Sequence, residues 1–433
     1  MEVMTRDRMS DEVRHREQAV LARQSRGHDH VVWREAHGCV VTTVDGRELI
    51  DFTSGVLVAN IGHAHPAVAQ AIAEQATKLL NAYDAPHPLR GELAERLVAL
   101  AGPPLDTVAL LTTGAEAIDA ALRVARAATH RYSILTFSDA FHGKSLSAVS
   151  VSGRPAGRRG MGPPMPGTLL APYPDPYRPP LDLPADRLAD GCIRLAEDLI
   201  AANLTEEPAA ILVEPYLGAG GGIVPPRDFL PKLRGLADRH GSVLILDEVQ
   251  AGFGRTGTMF AFQGLGVTPD LVAVAKGIAS GVPMSALLGR RDLLGSIAAG
   301  TLWSTYGGNP LSCAAALATL DVLTTPGLIE RVGPLGDRMA AEIRSWRVPG
   351  VGDVRNFGLS FGIDLVADEV SKAADPDRAL AALGAADRHG VIVLPPAGPM
   401  GNVLRMAPPL VISDAEVAQG LEALRAALEE TAP

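Results

Sequence analysis

The sequence predicts an α/β protein built around a large, doubly wound and mainly parallel sheet. Short runs of Val, Ile and Leu recur between turn-rich and helical stretches, which is typical of strands buried on both faces. Two such runs, Val243–Leu246 and Leu271–Ala275, are followed directly by Asp247 and Lys276. Because a strand buried on both faces carries no charge along its length, we expect both charged residues at the carboxyl edge of the sheet, where such folds bind ligands.

Length and composition favour a large globular enzyme. The chain has 433 residues, more than one ordinary domain of about 150, and its content of 47% apolar and 20% charged residues argues against disorder. The net charge of −10 is spread along the chain without a basic block, which argues against nucleic acid binding. No signal peptide and no membrane span are predicted. Cys39, Cys192 and Cys313 lack metal-ligand spacing and indicate reduced thiols in a cytoplasmic protein.

Asp247 and Lys276 suggest the chemistry of pyridoxal 5'-phosphate (PLP). This cofactor requires a lysine amine that holds its aldehyde as a Schiff base, and an acid that keeps its pyridine nitrogen protonated. Either residue alone could simply end a strand in an ordinary α/β protein. The pattern Asp-x-x-Gln after one strand, ending at Gln250, and Lys-Gly after the next strand is more specific.

The stretches LILDEVQAGFGRTG, residues 244–257, and PDLVAVAKGI, residues 269–278, resemble the class III PLP-dependent aminotransferases. This family includes ornithine, acetylornithine and 4-aminobutyrate aminotransferases. The resemblance begins near Val31, reaches the last helix and keeps the motifs in the family's order. It implies the PLP-dependent transferase fold type I. Residues 1–60 would then form an N-terminal arm and part of a small domain, 61–325 the large PLP-binding domain, and 326–433 the rest of the small α/β domain.

The N-terminal region contains a charged stretch and a predicted hairpin. Residues 1 to about 27 predict a helix or a mobile arm. Asp45-Gly46-Arg47 predicts a turn between the strands Val40–Thr43 and Glu48–Asp51. By resemblance, the residue after the Ser-Gly pair that follows this hairpin, Val56, reaches the substrate pocket.

The segment GHAHP, residues 62–66, resembles the GHxHP element of the family. His63 and His65 could suggest a metal pair, but no carboxylate or cysteine completes one in the sequence pattern. We therefore favour structural histidines and predict no metal site.

A third apolar strand, Val108–Leu111, leads into a small-residue turn and a helix that reaches about Ala128. The free backbone N–H groups and the dipole of a helix N-terminus favour an anion there. Gly-rich turns of this kind are common, so the pattern alone is weak. The match to the family motif (S/T)GxEA implies that Thr113, Gly114 and Ala115 bind the cofactor phosphate.

The next predicted strand, Tyr132–Phe137, is followed by an aromatic-His-Gly pattern. The resemblance implies that Phe141 stacks on the pyridine ring and that His142 hydrogen-bonds to Asp247, although a packing role for His142 stays open. Several relatives have an arginine for a distal carboxylate where this chain has Lys144. Lys144 contacts the remote acid group of a substrate or is simply solvated.

The middle of the chain contains a predicted loop and another strand with a terminal carboxylate. Gly153–Pro180 is rich in Pro, Gly and Arg and predicts a long loop, and Arg194–Ala202 predicts a helix. The strand Ala209–Val213 ends at Glu214. In the family the matching glutamate pairs with the arginine that binds the substrate carboxylate, and it releases or covers that arginine according to the substrate.

Ser285–Gly289 predicts a further strand, and STYGGNP, residues 304–310, resembles the family's TxxGNP loop. Without the family, this loop would be an ordinary helix cap. The resemblance implies that Thr305 crosses the interface of a homodimer and binds the cofactor phosphate of the partner subunit.

The C-terminal region predicts the smaller lobe, with strands at Gly358–Asp364, Val391–Leu394 and Val403–Ala407 and a final helix from Asp414. NVLRMAPPL, residues 402–410, resembles the segment whose arginine binds the α-carboxylate of the substrate. Arg405 is the matching residue, and a structural salt bridge is the alternative.

These roles favour an aminotransferase that moves an amino group from an amino acid or ω-amino compound to 2-oxoglutarate or pyruvate by a ping-pong mechanism. Lys276 would act as general base, Asp247 would keep the ring nitrogen protonated, and Gln250 would hydrogen-bond the phenolic oxygen.

Three alternatives compete with this prediction. DFTSG, GRPAGRRGMGP and LRMAPPL look like 2,2-dialkylglycine decarboxylase. That enzyme has Gln, Trp, Met and Ser where this chain has Val56, Phe141, Lys144 and Ala219, and its Gln and Ser help to bind the carboxylate that is lost. We therefore prefer simple transamination. A racemase or epimerase of the same fold stays open, whereas a binding-only protein is disfavoured because every chemical role has a residue.

Overall fold

The structure of the chain is a computed structural model that describes residues 6–22 and 31–433. Helix α1 covers Arg6–Val20, so part of the predicted N-terminal helix or arm is helical, and the rest, residues 1–5 and 23–27, lies outside the described residues. The chain divides into two compact units. One unit consists of Met1–His65 and Pro334–Pro433, and the other of Pro66–Gly333.

The described residues form helices and strands that alternate along most of the chain. The α-helices are α1 (Arg6–Val20), α2 (Ser54–Leu57), α3 (Pro66–Ala76), α4 (Pro88–Ala101), α5 (Gly114–Thr129), α6 (Leu146–Ser150), α7 (Pro155–Arg158), α8 (Leu188–Asn203), α9 (Phe229–His240), α10 (Ala261–Leu265), α11 (Arg291–Leu294), α12 (Pro310–Leu323), α13 (Val332–Ser345), α14 (Pro376–His389) and α15 (Asp414–Glu430). The strands are β1 (Trp33–His37), β2 (Val40–Thr43), β3 (Glu48–Asp51), β4 (Thr107–Leu111), β5 (Ile134–Phe137), β6 (Thr168–Ala171), β7 (Ala210–Val213), β8 (Val243–Asp247), β9 (Leu271–Val274), β10 (Ser285–Gly289), β11 (Val351–Phe357), β12 (Ser360–Asp368), β13 (Ala373–Ala374), β14 (Val391–Ile392), β15 (Leu394–Ala397) and β16 (Val403–Met406). Two 3₁₀ turns cover Ala185–Arg187 and Lys276–Ile278.

The unit Pro66–Gly333 is built on a seven-stranded sheet with the order β4-β10-β9-β8-β7-β5-β6. Strand β10 runs antiparallel to both of its neighbours, and the other neighbouring strands run parallel, which confirms the predicted, mainly parallel sheet. Helix α5 packs its apolar face on this sheet. Its residues Ile118, Ala121 and Val124 are fully buried in one cluster with strand residues such as Ile245 and Leu287.

Within this unit the sequence prediction is wrong for one segment, and it is confirmed but too short for another. The stretch Gly153–Pro180 is not a continuous loop, since it contains α7 and the edge strand β6, which pairs in parallel with β5. The four residues of β6 are too few to show a periodic pattern. The predicted helix Arg194–Ala202 is part of α8, which already begins at Leu188.

The other unit contains two smaller sheets. One sheet has the order β1-β2-β3-β14, and the other contains β11-β12-β16-β15 with β13 beside β12. Strands β2 and β3 form the predicted antiparallel hairpin, and β14 pairs in parallel with β3, so the N- and C-terminal segments share a sheet. The predicted strand Val391–Leu394 is wrong as a single element. Its residues divide at Val393 between β14 and β15, which belong to different sheets.

The final helix begins where it was predicted. Ser413 and Glu416 form a capping box at the start of α15, because each side chain accepts a hydrogen bond from the backbone N–H of the other. Across residues 6–22 and 31–433, no helix combines the length and the apolar character that a membrane crossing requires.

Candidate active site

The end of strand β8 carries a buried carboxylate that contacts a buried histidine. Asp247 Oδ2 lies 2.8 Å from Nδ1 of His142, and Asp247 Oδ1 accepts a 3.0 Å hydrogen bond from the backbone N–H of Val249. On the other side of the ring, His142 Nε2 lies 3.3 Å from the hydroxyl oxygen of Thr136. Each ring nitrogen of His142 therefore lies within hydrogen-bond distance of a polar side chain, the carboxylate of Asp247 on one side and the hydroxyl of Thr136 on the other.

Lys276 follows the neighbouring strand. Strands β8 and β9 run parallel with Asp247 opposite Ala273, and the backbone N–H of Glu248 donates to the Ala273 carbonyl at 2.9 Å. Lys276 comes three residues later, begins a 3₁₀ turn and has a φ of +45°. A positive φ is uncommon for a residue with a Cβ and often marks a functional position. Asp247 and Lys276 therefore follow adjacent strands at one edge of the sheet.

The N-terminus of α5 lies at the same edge. Because β10 runs antiparallel to both β4 and β9, the carboxyl ends of β4 and β9 point the same way. Thr113 caps α5 by accepting a hydrogen bond from Glu116 N at 3.2 Å, and the Glu116 carboxylate accepts one from Thr112 N at 2.8 Å. Among the described residues, the backbone N–H groups of Gly114 and Ala115 have no hydrogen-bond partner. The turn therefore presents two free donors and the positive end of a helix.

This turn has no room for larger side chains. A Cβ at Gly114 would lie 3.1 Å from the methyl groups of Val249, and a Cβ at Gly143 would lie 2.7 Å from that of Ala115. Gly143 also has a φ of +138°, which side chains rarely adopt. The protein's own packing around the start of α5 therefore requires glycine at both positions.

Gln250 supplies a polar group to the same region. Its side-chain oxygen is buried and, within the part of the chain that the structure describes, accepts no hydrogen bond. Gly218 packs directly against this amide, since a Cβ there would lie 2.1 Å from the Gln250 oxygen. A buried amide without a partner costs free energy, so a ligand that bonds to Gln250 would recover that cost.

Glu214 is buried and joins two loops. Its Oε1 accepts a 2.8 Å hydrogen bond from the backbone N–H of Phe141, and its Oε2 accepts a 3.0 Å bond from that of Gly218. The pKa of Glu214 is raised to about 7, chiefly by burial and also by the nearby Asp247. His142 and the two backbone N–H groups lower this pKa, but by less. The carboxyl group thus fixes the backbone at the aromatic residue Phe141.

Two predicted site residues of this unit are exposed. Lys144 and Thr305 both have solvent-accessible side chains. The carbonyl of Thr305 accepts a 2.9 Å hydrogen bond from the side chain of Asn81. This contact connects the segment after α3 to the loop that precedes α12.

Arg405 and Val56 belong to the other unit. Arg405 is half-buried on strand β16, where it lies opposite Gly362 of β12 and Leu394 of β15. Val56 is 48% exposed, although the neighbouring Leu57 is buried.

His63 of the His-x-His element contacts a buried carboxylate. His63 Nε2 lies 2.7 Å from the buried Asp51 Oδ2, so the structure provides a carboxylate that the sequence pattern did not show. No group of three or more His, Cys, Asp or Glu side chains suited to a metal ion occurs in residues 6–22 and 31–433. The assignment of His63 and His65 as structural histidines stays a prediction.

The sequence did not single out three residues that support this site. Val249 lies against Gly114 at the start of α5, and Ser285 donates a 2.8 Å hydrogen bond to the carbonyl of Thr113. Thr136 contacts His142 from inside β5. A polar residue within an otherwise apolar strand was the available signal for both Thr136 and Ser285.

Several known proteins resemble this chain in sequence and in structure. A sequence profile described as "Aminotransferase class-III" matches residues 22–428. A probable 4-aminobutyrate aminotransferase of Bacillus subtilis is 35% identical over 91% of this chain and 92% of its own length. An isoleucine 2-epimerase of Lentilactobacillus buchneri is 36% identical over 91% of this chain and 89% of its own length. The PLP-bound structure of an amine transaminase from an uncultivated Pseudomonas species superposes with a TM-score of 0.88 at 33% identity, covering 95% of this chain and 98% of the other.

The protein has this fold, with a carboxylate at the end of one strand and a lysine just after the neighbouring strand. These features define a PLP-dependent enzyme of fold type I. Within that class, the chain belongs to the class III aminotransferases, as the sequence predicted.

The residues at the sheet edge fit PLP. The cofactor carries a phosphate, a phenolic oxygen, a pyridine nitrogen and an aldehyde. The edge offers the two free N–H groups of α5 for an anion, the buried amide of Gln250, the carboxylate of Asp247 and the amine of Lys276.

Proposed function

We propose that this aminotransferase takes the amino group of an amino acid or ω-amino compound and transfers it to 2-oxoglutarate or pyruvate in two half-reactions. Curated relatives support this donor range, since they are named for 4-aminobutyrate, 5-aminovalerate and acetylornithine. The observation that carries the proposal is the buried contact of Asp247 and His142 at the end of β8, one strand away from the strand that leads to Lys276.

PLP supplies an aldehyde that binds amines and a ring that accepts electrons. Lys276 would provide the amine that attaches this group, and its Nζ would serve as general base for the amino-bearing carbon of the substrate. Asp247 would keep the pyridine nitrogen protonated. His142 occupies the second oxygen of Asp247 and so fixes the orientation of the carboxylate.

The turn at α5 would hold the cofactor phosphate. Thr113, Gly114 and Ala115 provide a hydroxyl and free N–H groups, as described above. Gln250 would hold the phenolic oxygen, and Phe141, whose backbone N–H Glu214 accepts, would lie against the ring.

A homodimer would complete the site with Thr305 of the partner subunit on the phosphate. Aromatic side chains around Thr305 support such an interface. Tyr83, Trp303 and Tyr306 are 60%, 46% and 64% exposed, and the rings of Tyr83 and Trp303 meet edge to face at 5.2 Å. Exposed aromatic patches are typical of protein interfaces. Thr305→Ala should weaken cofactor retention without loss of the dimer, and sedimentation with a cofactor titration measures both.

Substrate contacts are assigned to four side chains. Arg405 binds the α-carboxylate through its two-pronged guanidinium group. Lys144 contacts a distal acid group, and Val56 borders the apolar part of the substrate. Glu214 changes the net charge next to the substrate carboxylate that Arg405 binds. Both of its oxygens already accept backbone N–H groups, so it can contribute through a remaining lone pair or by its charge.

The purified protein tests the proposal directly. We expect visible absorbance from bound PLP and amino transfer from a panel of α-amino acids, ω-amino acids and amines to pyruvate and 2-oxoglutarate. A protein without that absorbance would contradict the assignment. The epimerase relative defines a second possible outcome, in which a chiral amino acid loses its handedness without any 2-oxo acid.

A cytoplasmic location is proposed on a separate observation. Cys39, Cys192 and Cys313, all within the described residues, are buried and form no disulfide with one another. Burial raises the pKa of Cys192 to about 11 and that of Cys313 to about 12, so both stay protonated and unreactive. Fractionation of the producing cells would test the location.

A further inference from the structure

The segment Ser54–Leu57, called α2, is a turn of left-handed helix. Its four residues have φ values of +51°, +56°, +68° and +62°. Leu57 N donates to the Thr53 carbonyl at 2.9 Å, and Val58 N donates to the Ser54 carbonyl at 2.8 Å. Only Gly55 adopts such a backbone readily, and a β-branched residue such as Val56 is a clear outlier. A turn of this kind persists only where its surroundings force it.

A buried network holds the turn from its N-terminal side. Asp51 is fully buried, and its Oδ1 accepts hydrogen bonds from Thr53 N at 2.7 Å and from the Thr53 hydroxyl at 2.6 Å. The Thr53 oxygen in turn accepts the backbone N–H of Gly55 at 3.0 Å. The other oxygen of Asp51 contacts His63 Nε2 at 2.7 Å. The His63 ring lies over Gly55, since a Cβ there would be 3.5 Å from its Cε1.

Ala407, the residue directly after strand β16, holds the turn from the other side. The Ser54 hydroxyl donates to the Ala407 carbonyl at 2.5 Å, and Ala407 N donates to the Phe52 carbonyl at 2.6 Å. Leu57 packs in a buried cluster with Leu394 and Ala407. Among the residues of α2, only the side chain of Val56 is exposed, so the network fixes the direction of that one side chain.

We propose that Asp51, Thr53 and His63 are positioning residues that keep Val56 in a strained backbone conformation and thereby set the size of the donor that the enzyme accepts. This inference rests on the proposed position of Val56 beside the substrate. Asp51 and Thr53 are buried, and His63 is half-buried with its ring against Gly55, so all three act on Val56 through the backbone of the turn.

The strain can be measured without any catalysis. At an ordinary exposed site, glycine is less stable than alanine, whereas at a left-handed position the order is reversed. We compare Val56→Ala and Val56→Gly with the same pair at Val370, which is 92% exposed and has no positive φ. Val56→Gly should unfold about 2 °C above Val56→Ala, and Val370→Gly should unfold below Val370→Ala. The same order at both sites would show that Val56 is not strained.

The positioning role is tested through donor selectivity. Thr53→Val keeps the shape of the side chain but loses the hydroxyl that joins Asp51 to Gly55. The ratio of kcat/KM for 5-aminovalerate to that for 4-aminobutyrate, which differ by one methylene, should change by about tenfold. Thr53→Ser keeps the hydroxyl and should restore the parent ratio.

Thr43 provides the matched control. It is buried in the same unit, and its hydroxyl oxygen accepts the backbone N–H of Arg47 at 3.0 Å in the hairpin turn, away from α2. Thr43→Val should lower stability but leave the donor ratio unchanged. Equal ratios in Thr53→Val and the parent, or an equal change in Thr43→Val, would overturn the proposal.

Failure of the proposed function and failure of the positioning role give different experimental results. If the parent enzyme transfers no amino group from any donor of the panel, the proposed function is wrong, and the selectivity role falls with it. In that case the Ala-to-Gly comparison at Val56 still decides whether the turn is strained. If the parent transfers both donors and only the ratio test fails, the proposed function stands and the positioning role is rejected.

Discussion

Asp247 and Glu248 are consecutive carboxylates, both are buried, and the structure uses them in opposite ways. Asp247 faces the sheet edge and contacts the titratable side chain of His142. Glu248 points to the start of α10, where its oxygens accept the N–H groups of Ala261 and Phe262, each at 2.7 Å. Burial alone therefore does not mark a catalytic acid. The difference lies in the partners, because Asp247 has one side-chain partner, His142, and one backbone donor, Val249, at the sheet edge, whereas Glu248 accepts two backbone donors at the start of a helix.

The largest effect should come from the lysine at the same edge as Asp247. Lys276→Ala removes the proposed attachment point and general base, so we expect the loss of visible absorbance and a fall in rate of at least about 10⁴-fold. The melting temperature of the apoprotein should stay close to that of the parent. Lys78→Ala, at an exposed helix-end position, is the control and should keep full activity. Substantial turnover by Lys276→Ala would contradict the assignment of the whole edge.

Replacing each of the two neighbouring carboxylates by its amide separates an effect on catalysis from an effect on stability. Asp247→Asn should lower kcat by about 10²–10³-fold, because an amide cannot stabilise a protonated ring nitrogen as a carboxylate does. Glu248→Gln places an amide NH₂ against one of two backbone donors and should cost about 1–3 kcal/mol of unfolding free energy. Its activity, measured on the folded fraction, should stay within a few-fold of the parent.

Rates and urea unfolding curves of both variants decide this comparison. If Glu248→Gln lost activity as severely as Asp247→Asn, the division between the two carboxylates would be wrong.

The sequence predicted the edge of the sheet well because that edge depends on local patterns. Apolar runs ending on Asp247 and near Lys276 specify strands and their polar ends, and Ser285–Gly289 was predicted with its observed bounds. The antiparallel direction of that strand was not predictable, because direction depends on neighbours that are distant in the chain.

Features set by distant contacts were missed. The backbone of Val56 contradicts its own conformational preference and is held by Asp51 and Ala407, which no local pattern connects to it. The backbone contacts of Glu214 have the same origin, since Phe141 lies 73 residues earlier in the chain. Sequence patterns therefore identified which residues belong to the edge but not how the surrounding backbone fixes them.

Stability should also depend on pH through Glu248. Burial raises the pKa of this carboxyl to about 8 from its ordinary value of 4.5. The folded state therefore retains a proton that the unfolded chain loses, so this contribution to stability is complete below about pH 4.5 and decreases up to about pH 8. We expect a decrease of about 5 kcal/mol across this window. Urea unfolding of the parent between pH 5 and pH 8 measures it.

Glu248→Gln does not titrate and should flatten this pH dependence. Glu214, whose pKa is raised by burial to about 7, should add a smaller slope in the same direction that persists in the variant. An identical slope in the parent and in Glu248→Gln would show that Glu248 is ionised in the folded state across the whole window.

The smallest effect should come from His142. It tests whether His142 supports Asp247 through a hydrogen bond or only by packing. His142→Asn can place its Nδ2 near the position of Nδ1 and keep a donor for Asp247, whereas His142→Leu fills the space without a donor. A hydrogen bond to a charged group contributes about 1.5–3 kcal/mol, so His142→Leu should lower kcat by about tenfold or more while His142→Asn stays within a few-fold. KM for the amino donor should change little in either variant, because His142 lies behind Asp247. Equal rates in the two variants would mean that His142 acts only by packing, and the contrast with Glu248 would then depend on the location of Asp247 alone.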